Sequence, residues 1–398
     1  MLMMLGFVTN GWAQTDSLYV ALLTCAPGAD AYKLFGHTAI RVRNERMPQE
    51  DWAFNYGIFD FHTENFIYRF VKGETDYVLS AEPTDWFFER YSEEGIAVTE
   101  QELELTDEQK TELARLLFLN AQPENRTYRY NFLYDNCTTR ARDKIEEVAA
   151  VHFAPQCGTW LLHTTFRDVL HNFTKGSPWT EFGIDLVLGS EVDHPLTFRE
   201  EQFIPSSYKR DLTLAFVTDS VGQEIPFIRS ERVYEPTGTL QTGSKFPLSP
   251  MAFFWIVCGG VMLISLVDVR RRRLTLAVDI VLLVGQGIAG VLVSFLFFFS
   301  EHPAVGSNWL VMMFNPLVFV LLTDVIWLHR RRKVICGIHR RDGSIVDFME
   351  IVNMAVLLFV LLLNWLPLQQ LHPAMLPLVL TLLLRSATRM RMRIPKKW

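Results

Sequence analysis

The sequence predicts an α+β exported domain followed by an all-α bundle of about five transmembrane helices. Three observations carry this. The last third of the 398-residue chain holds four near-charge-free apolar stretches and a shorter fifth. The connections between them alternate between basic and non-basic. The first 235 residues mix short alternating runs with helical patterns and turn residues, as a globular domain does.

The apolar stretches cover residues 251–267, 274–299, 309–328, 348–366 and 375–384. The first four suit the ~20-residue crossing of a ~30 Å hydrocarbon core. The fifth is short and reads as a crossing or as a tilted, interfacial segment. Arg270, Arg271, Arg272 and Arg273 follow the first stretch, and Arg330, Arg331, Arg332 and Lys333 follow the third. Arg385, Arg389, Arg391 and Arg393 follow the fifth. Residues 301–308 and 369–372 carry no Lys or Arg. Positive charge marks the cytoplasmic side, so the region before Met251 faces outward and the C-terminus lies inside. An arginine cluster also suits nucleic acid, but regular alternation beside apolar spans is a topology signal first. No nucleic-acid partner is expected.

The formal charge of −6 hides a division, with acidic residues concentrated before about Glu235 and basic ones after Arg270. Residues 1–13 are a short apolar run closing on Gly11-Trp12-Ala13-Gln14, and read as a remnant signal peptide. The expected organisation is therefore a periplasmic domain over 14–235, a Pro/Gly/Ser/Thr-rich linker over 236–250, and a membrane domain over 251–398.

Within the exported part, residues 17–23 form a short β-like run. Residues 37–42 alternate as a strand, and 52–61 are aromatic-rich and extended, so the two are expected to pair as a hairpin. Residues 83–91 look like an aromatic-faced helical turn, and 98–105 like a strand. Thr106-Asp107-Glu108-Gln109 is a capping box opening a helix with Leu113, Leu116 and Leu117 on its apolar face. Residues 128–133 read as extended, 138–150 and 163–172 as helices, and 195–232 as mixed.

Two short motifs could carry chemistry. One is Leu34-Phe35-Gly36-His37-Thr38, with a histidine opening a strand. The other is Asp135-Asn136-Cys137-Thr138-Thr139, with a cysteine at the mouth of a helix. A helix N-terminus and a nearby imidazolium both favour a thiolate, the nucleophilic form. Gly36 would permit close backbone approach. Folding the hairpin near Met47 brings His37 opposite about 55–57, so Asn55 is expected to orient the imidazole, with Asp60 and Tyr56 as competitors. Asn136 and Thr138 flank the thiol. Each residue also has a plain structural reading: a cysteine at a helix start is often a small buried hydrophobe, and a strand histidine is often a core residue.

Cys25, Cys137 and Cys157 all lie in the exported part, an odd count in an oxidising compartment. A Cys25–Cys157 disulfide would leave Cys137 free, though sequence does not establish connectivity. Cys157, His163 and His171 match no familiar metal spacing. No metal or other cofactor is expected.

These motifs, with Thr24-Cys25-Ala26-Pro27-Gly28, Tyr130-Asn131-Phe132-Leu133-Tyr134, Glu301-His302-Pro303, Asn308-Trp309 and Asn315-Pro316, resemble the Lnb family of lipoprotein N-acyltransferases. The order of histidine before cysteine also resembles the permuted branch of NlpC/P60, papain-like enzymes. The resemblance implies Cys137 as nucleophile and His37 as base. It implies a phospholipid acyl donor, a diacylated lipoprotein acceptor, and a bacterial inner-membrane location. It leaves Cys25 as structural or as part of the site. The oxyanion is expected at backbone N–H groups after Cys137. His302 and Asn308, in an outward loop, are expected to touch lipid or to cap helix ends. Aromatics including Trp52, Phe54, Phe59, Phe61, Trp86, Phe87 and Phe88 form either an apolar approach or ordinary core. The protein is expected to be a monomer. Rival readings are a cell-wall peptidase or amidase, a thioesterase or phospholipase, and a non-enzymatic membrane assembly factor.

Overall fold

The computed structural model describes residues 17–59, 64–161, 163–240, 246–332, 345–363 and 365–393. The chain forms two compact units. The first comprises residues 1–173 and 195–244, and the second residues 174–194 and 245–398. Residues 174–194 therefore pack with the membrane unit, whereas sequence placed them in the exported domain.

The first unit is built on a seven-stranded sheet. β1 (Leu18–Cys25) pairs antiparallel with β2 (His37–Asn44), setting Cys25 opposite His37. β2 pairs with β3 (Asp51–Ile58) as the expected hairpin, with Ala39 opposite Asn55. After the short helix α1 (Phe66–Lys72), β4 (Asp76–Pro83) pairs with β3 and sets Glu82 opposite Ala53. α2 (Thr84–Glu93) leads to β5 (Val98–Leu103), and the capping box opens α3 (Asp107–Asn120) as the sequence indicates. β6 (Thr127–Arg129) closes one edge beside β4, and α4 (Cys137–Val148) follows. Beyond β7 (His152–Phe153) come α5 (Phe166–Thr174) and then α6 (Pro178–Val187), which belongs to the second unit. The chain returns through α7 (Phe198–Glu201) and α8 (Pro205–Leu212). Strands β8 (Ala215–Thr218) and β9 (Glu224–Pro226) make a small sheet with β7, and β10 (Ile228–Tyr234) pairs with β5 at the other edge of the large sheet.

The strand period of two sorts the side chains onto two faces. Leu22, Ile40, Phe54, Tyr56 and Leu79 bury against Leu113 and Leu117 of α3 and Ala141 and Ile145 of α4. Leu23, Cys25, Ala39 and Ala53 pack with Phe87 of α2 on the other face. Phe54 and Phe87 are thus fully buried core, not an approach to the site.

The second unit is helical. α9 (Pro250–Arg271), α10 (Leu276–Phe299) and α12 (Ile345–Leu363) are long and apolar enough to cross a membrane. The third expected span is interrupted. Pro316 has no N–H to give a helix and disfavours the α conformation at Asn315, so α11 (Val318–Arg332) starts late. Its apolar part is only Val318–Trp327. The fifth stretch is longer than its apolar core. α13 (Met375–Arg393) runs on through Arg385 and Arg389, which sequence placed in a cytoplasmic loop. Both are buried in the bundle. Of the about five spans expected, three helices have spanning length and composition among the described residues.

Candidate active site

Asn136 caps α4 and fixes where Cys137 sits. Its side-chain oxygen accepts from the Thr138 N–H at 2.8 Å and the Thr139 N–H at 3.0 Å. Its amide donates to the carbonyls of Phe132 at 2.8 Å and Phe203 at 2.9 Å. Thr139 answers with its hydroxyl at the Asn136 N–H, completing a capping box. Cys137 is the first residue inside the helix, where the backbone dipole favours an anion. Thr138 Oγ1 lies 3.0 Å from Thr38 Oγ1 and 3.8 Å from the Cys137 sulfur, tying the helix start to β2.

His37 opens β2, and its imidazole and the Cys137 thiol are close enough to shift each other's titration. Gly36 just before it has φ of +79°, and a Cβ there would lie 2.6 Å from the Cys25 carbonyl oxygen, so the approach requires glycine. The other side of the ring is set by a relay. His37 Nε2 lies 3.1 Å from Asn55 Oδ1, and Asn55 Nδ2 donates to Glu82 Oε1 at 2.8 Å. Arg90 clamps the same carboxylate with two bonds of 2.6 and 2.8 Å. A carboxylate only accepts, so the Asn55 amide must turn its NH2 toward Glu82 and its oxygen toward His37. Nε2 then carries a proton, leaving Nδ1 for the sulfur. Tyr91 stacks beside the imidazole, with centroids 6.3 Å apart and planes 17° apart.

The thiols titrate in opposite directions. Burial works against the Cys137 thiolate, but the His37 charge, hydrogen bonds from His37 and the Thr38 backbone, and Thr138 outweigh it, so its pKa is lowered. Burial likewise opposes a charged His37, yet Cys137 and Asn55 raise its pKa. The pair is therefore set up as thiolate and imidazolium. Cys25 differs. Burial pushes its thiol well up, against a smaller lowering influence of Tyr91. It stays a neutral packing group under α2, directly across from His37 in register. Cys25 and Cys157 are both free thiols, so the disulfide considered between them is not formed.

Gly57, Tyr128 and Tyr130 stand beside Cys137. A Cβ on Gly57 would stand 3.6 Å from Cys137 Cβ, 3.4 Å from Tyr130 Cε2 and 3.9 Å from the Tyr128 hydroxyl. Its φ of +86° favours glycine. The Tyr128 hydroxyl is buried and has no hydrogen-bond partner among the described residues. Burial, the nearby Cys137 charge and further acidic neighbours push its pKa up against the pull of Arg140, so it remains a donor. The Arg140 guanidinium lies 3.6 Å from its ring centroid. The expectation that helix N–H groups after Cys137 hold an oxyanion is corrected. Asn136 already occupies those of Thr138 and Thr139.

The remaining residues scatter. Tyr56 points into the core and donates to Asn120 Oδ1 at 2.7 Å, away from His37. Asp60 and Phe61 lie outside the described residues. Asn308 is only 1% exposed; it caps a 3-10 turn and donates to the Leu186 carbonyl, so it does not face lipid. His302 is half-buried before a second 3-10 turn. Among the described residues no three His, Cys, Asp or Glu could hold a metal ion, which removes the Cys157/His163/His171 reading. Glu82, Arg90, Tyr91 and Tyr128 were missed. The alternation of Tyr77, Leu79 and Ala81 ending at Pro83 was the signal for β4, and hence for Glu82.

Residues 10–172 match the Lnb N-terminal periplasmic domain, and residues 241–397 match the Lnb transmembrane domain. No curated protein and no solved structure matches the chain. With both domains present in order, and with three helices fit to span a bilayer, the chain belongs to the Lnb family and is a membrane protein with a periplasmic domain.

Proposed function

We propose that the protein is a cysteine-dependent lipoprotein N-acyltransferase of a bacterial inner membrane. The observation that carries this is the Cys137 thiol at a capped helix start, its pKa lowered by a neighbouring histidine whose tautomer is fixed by Asn55 and Glu82. A histidine on a strand of an antiparallel sheet, preceding a cysteine on a packed helix, supports the permuted papain-like reading.

The Cys137 sulfur attacks the ester carbonyl carbon of a phospholipid. The S–C bond forms and the carbonyl π electrons move to oxygen. The Cys137 N–H and the Tyr128 hydroxyl are the donors available to that oxyanion. The intermediate collapses, the ester C–O bond breaks, and the lysophospholipid oxygen takes the proton of imidazolium His37. An acyl thioester remains. The neutral α-amine of a diacylglyceryl-cysteine lipoprotein then attacks the thioester carbon. The N–C bond forms, the C–S bond breaks, and His37 accepts the amine proton. The amide is the product, and the thiolate–imidazolium pair is restored.

Mass spectrometry of a lipoprotein N-terminal peptide, in cells with and without the gene, tests this. Loss of the N-linked acyl chain in the deletion is expected. Unchanged lipoproteins with altered muropeptides would instead favour a cell-wall amidase or peptidase.

A further inference from the structure

One element of the periplasmic unit turns its apolar side chains outward. α1, Phe66-Ile67-Tyr68-Arg69-Phe70-Val71-Lys72, has no buried residue. Ile67 is 77% exposed, Tyr68 53% and Phe70 50%. Its cations are engaged within the domain, Arg69 with Asp76 and Lys72 with Glu74. What α1 offers to its surroundings is therefore apolar.

The helix also connects to the thiol. The Phe70 and Phe66 centroids lie 6.0 Å apart, Phe66 and Phe59 5.7 Å, and Phe59 and Tyr77 5.1 Å. Tyr77 stacks on Tyr130 at 4.2 Å. Tyr130 and Cys137 both lie against Gly57. A row of rings thus runs from an exposed helix to the neighbourhood of Cys137.

We propose that α1 and this aromatic row form the site that takes the acyl chain of a lipid and leads its ester to Cys137. The proposal rests on the acyl-transfer reading and adds where the chain is held. An acyl chain fits better than a glycan. The exposed side chains of α1 are led by Ile67 and Phe70, its cations are already paired, and its rings continue toward Cys137.

The test uses the full-length protein in phosphatidylethanolamine/phosphatidylglycerol vesicles. Ile67→Trp fluorescence is compared with an Ile67→Phe background, using lipids brominated on the acyl chain and, separately, aqueous iodide. Quenching by the brominated lipid and protection from iodide are expected. Quenching by iodide alone would overturn the proposal. So would a muropeptide that protects the new tryptophan where brominated lipid does not quench it, since that would mark a glycan platform. This readout needs no turnover, so it stands apart from the acyl-transfer reading, which fails if wild-type Cys137 is never acylated. In a second arm, Ile67→Asp with Phe70→Asp should cut Cys137 acylation from long-chain phospholipid about tenfold or more, since remote binding energy is lost. Alkylation of Cys137 by water-soluble iodoacetamide should be unchanged, which shows the fold and thiolate intact. Acylation at the wild-type rate would overturn the proposal.

Discussion

The rings of Tyr56 and Tyr128 lie 6.1 Å apart, but their hydroxyls differ in role. Tyr56 donates to Asn120, whereas Tyr128 donates to no described residue and its hydroxyl lies near Gly57 beside Cys137. Removing a hydroxyl that makes no bond in the resting protein costs little stability, whereas losing an oxyanion donor costs on the order of 10²–10³ in rate. Tyr128→Phe is thus expected to slow acylation by roughly that factor with an unchanged melting temperature, measured on one preparation. A matching loss of stability would refute the assignment. The ion pair has its own signature. A lowered Cys137 and a raised His37 leave thiolate and imidazolium together above the first pKa and below the second. Iodoacetamide labelling of Cys137 should therefore persist at pH values well below an ordinary thiol's ~8.5. His37→Ala should move that profile upward. Glu82→Ala frees the Asn55 amide to turn, and should lower the acylation rate about tenfold, as losing one charged hydrogen bond does. It should also shift the same pH profile, which a merely structural role would not do. Cys137, His37 and Asn55 were legible because each sits where a local rule speaks: a helix start, a strand start and a hairpin partner. Glu82 was not, since its place depends on β4 pairing with β3, and no turn motif announces that pairing.

At the level of elements, α4 is held by its cap. The Asn136 side chain makes four hydrogen bonds, two to helix N–H groups and two to loop carbonyls. Asn136→Ala should destabilise the protein by about 1–2 kcal/mol, the upper part of the usual range for a lost N-cap. Chemical denaturation of the detergent-solubilised protein checks it. An unchanged midpoint would mean that the cap is dispensable. The hairpin of β2 and β3 emerged from the sequence because one face is buried and the register has one solution. Helix α11 did not. Its apolar composition suggested one long span, while Pro316 delayed its start until Val318. The helix α1 was missed because its apolar residues point outward and lack the one-sided pattern that marks a core-facing helix.

Across the membrane unit, sequence misjudged its charges. Arg385 bonds Asp268 at 2.7 Å and Asp279 at 2.7 Å, and Arg389 bonds Glu350 at 2.6 Å and Asp279 at 3.2 Å. All five side chains are buried, linking α9, α10, α12 and α13. An arginine beside an apolar stretch can lie in a loop or pair within the bundle. The deciding signal was Asp279 and Glu350 inside otherwise apolar segments and Asp268 at the edge of another, each expensive there without a partner. Arg385→Ala leaves two carboxylates short of a partner and should cost about 3–5 kcal/mol. Thermal unfolding in detergent would show it, and an unchanged transition would mean that the network does not hold the bundle. The account as a whole depends on Cys137 carrying an acyl chain. Incubating the purified full-length protein with phospholipid vesicles, then measuring its intact mass, tests this most directly. The expected result is one added acyl mass on Cys137, removed by hydroxylamine, absent in Cys137→Ser, and passed to the α-amine of an added diacylated lipopeptide. Full transfer to that lipopeptide by Cys137→Ser, or no acyl mass on the wild type while transfer proceeds, would contradict it.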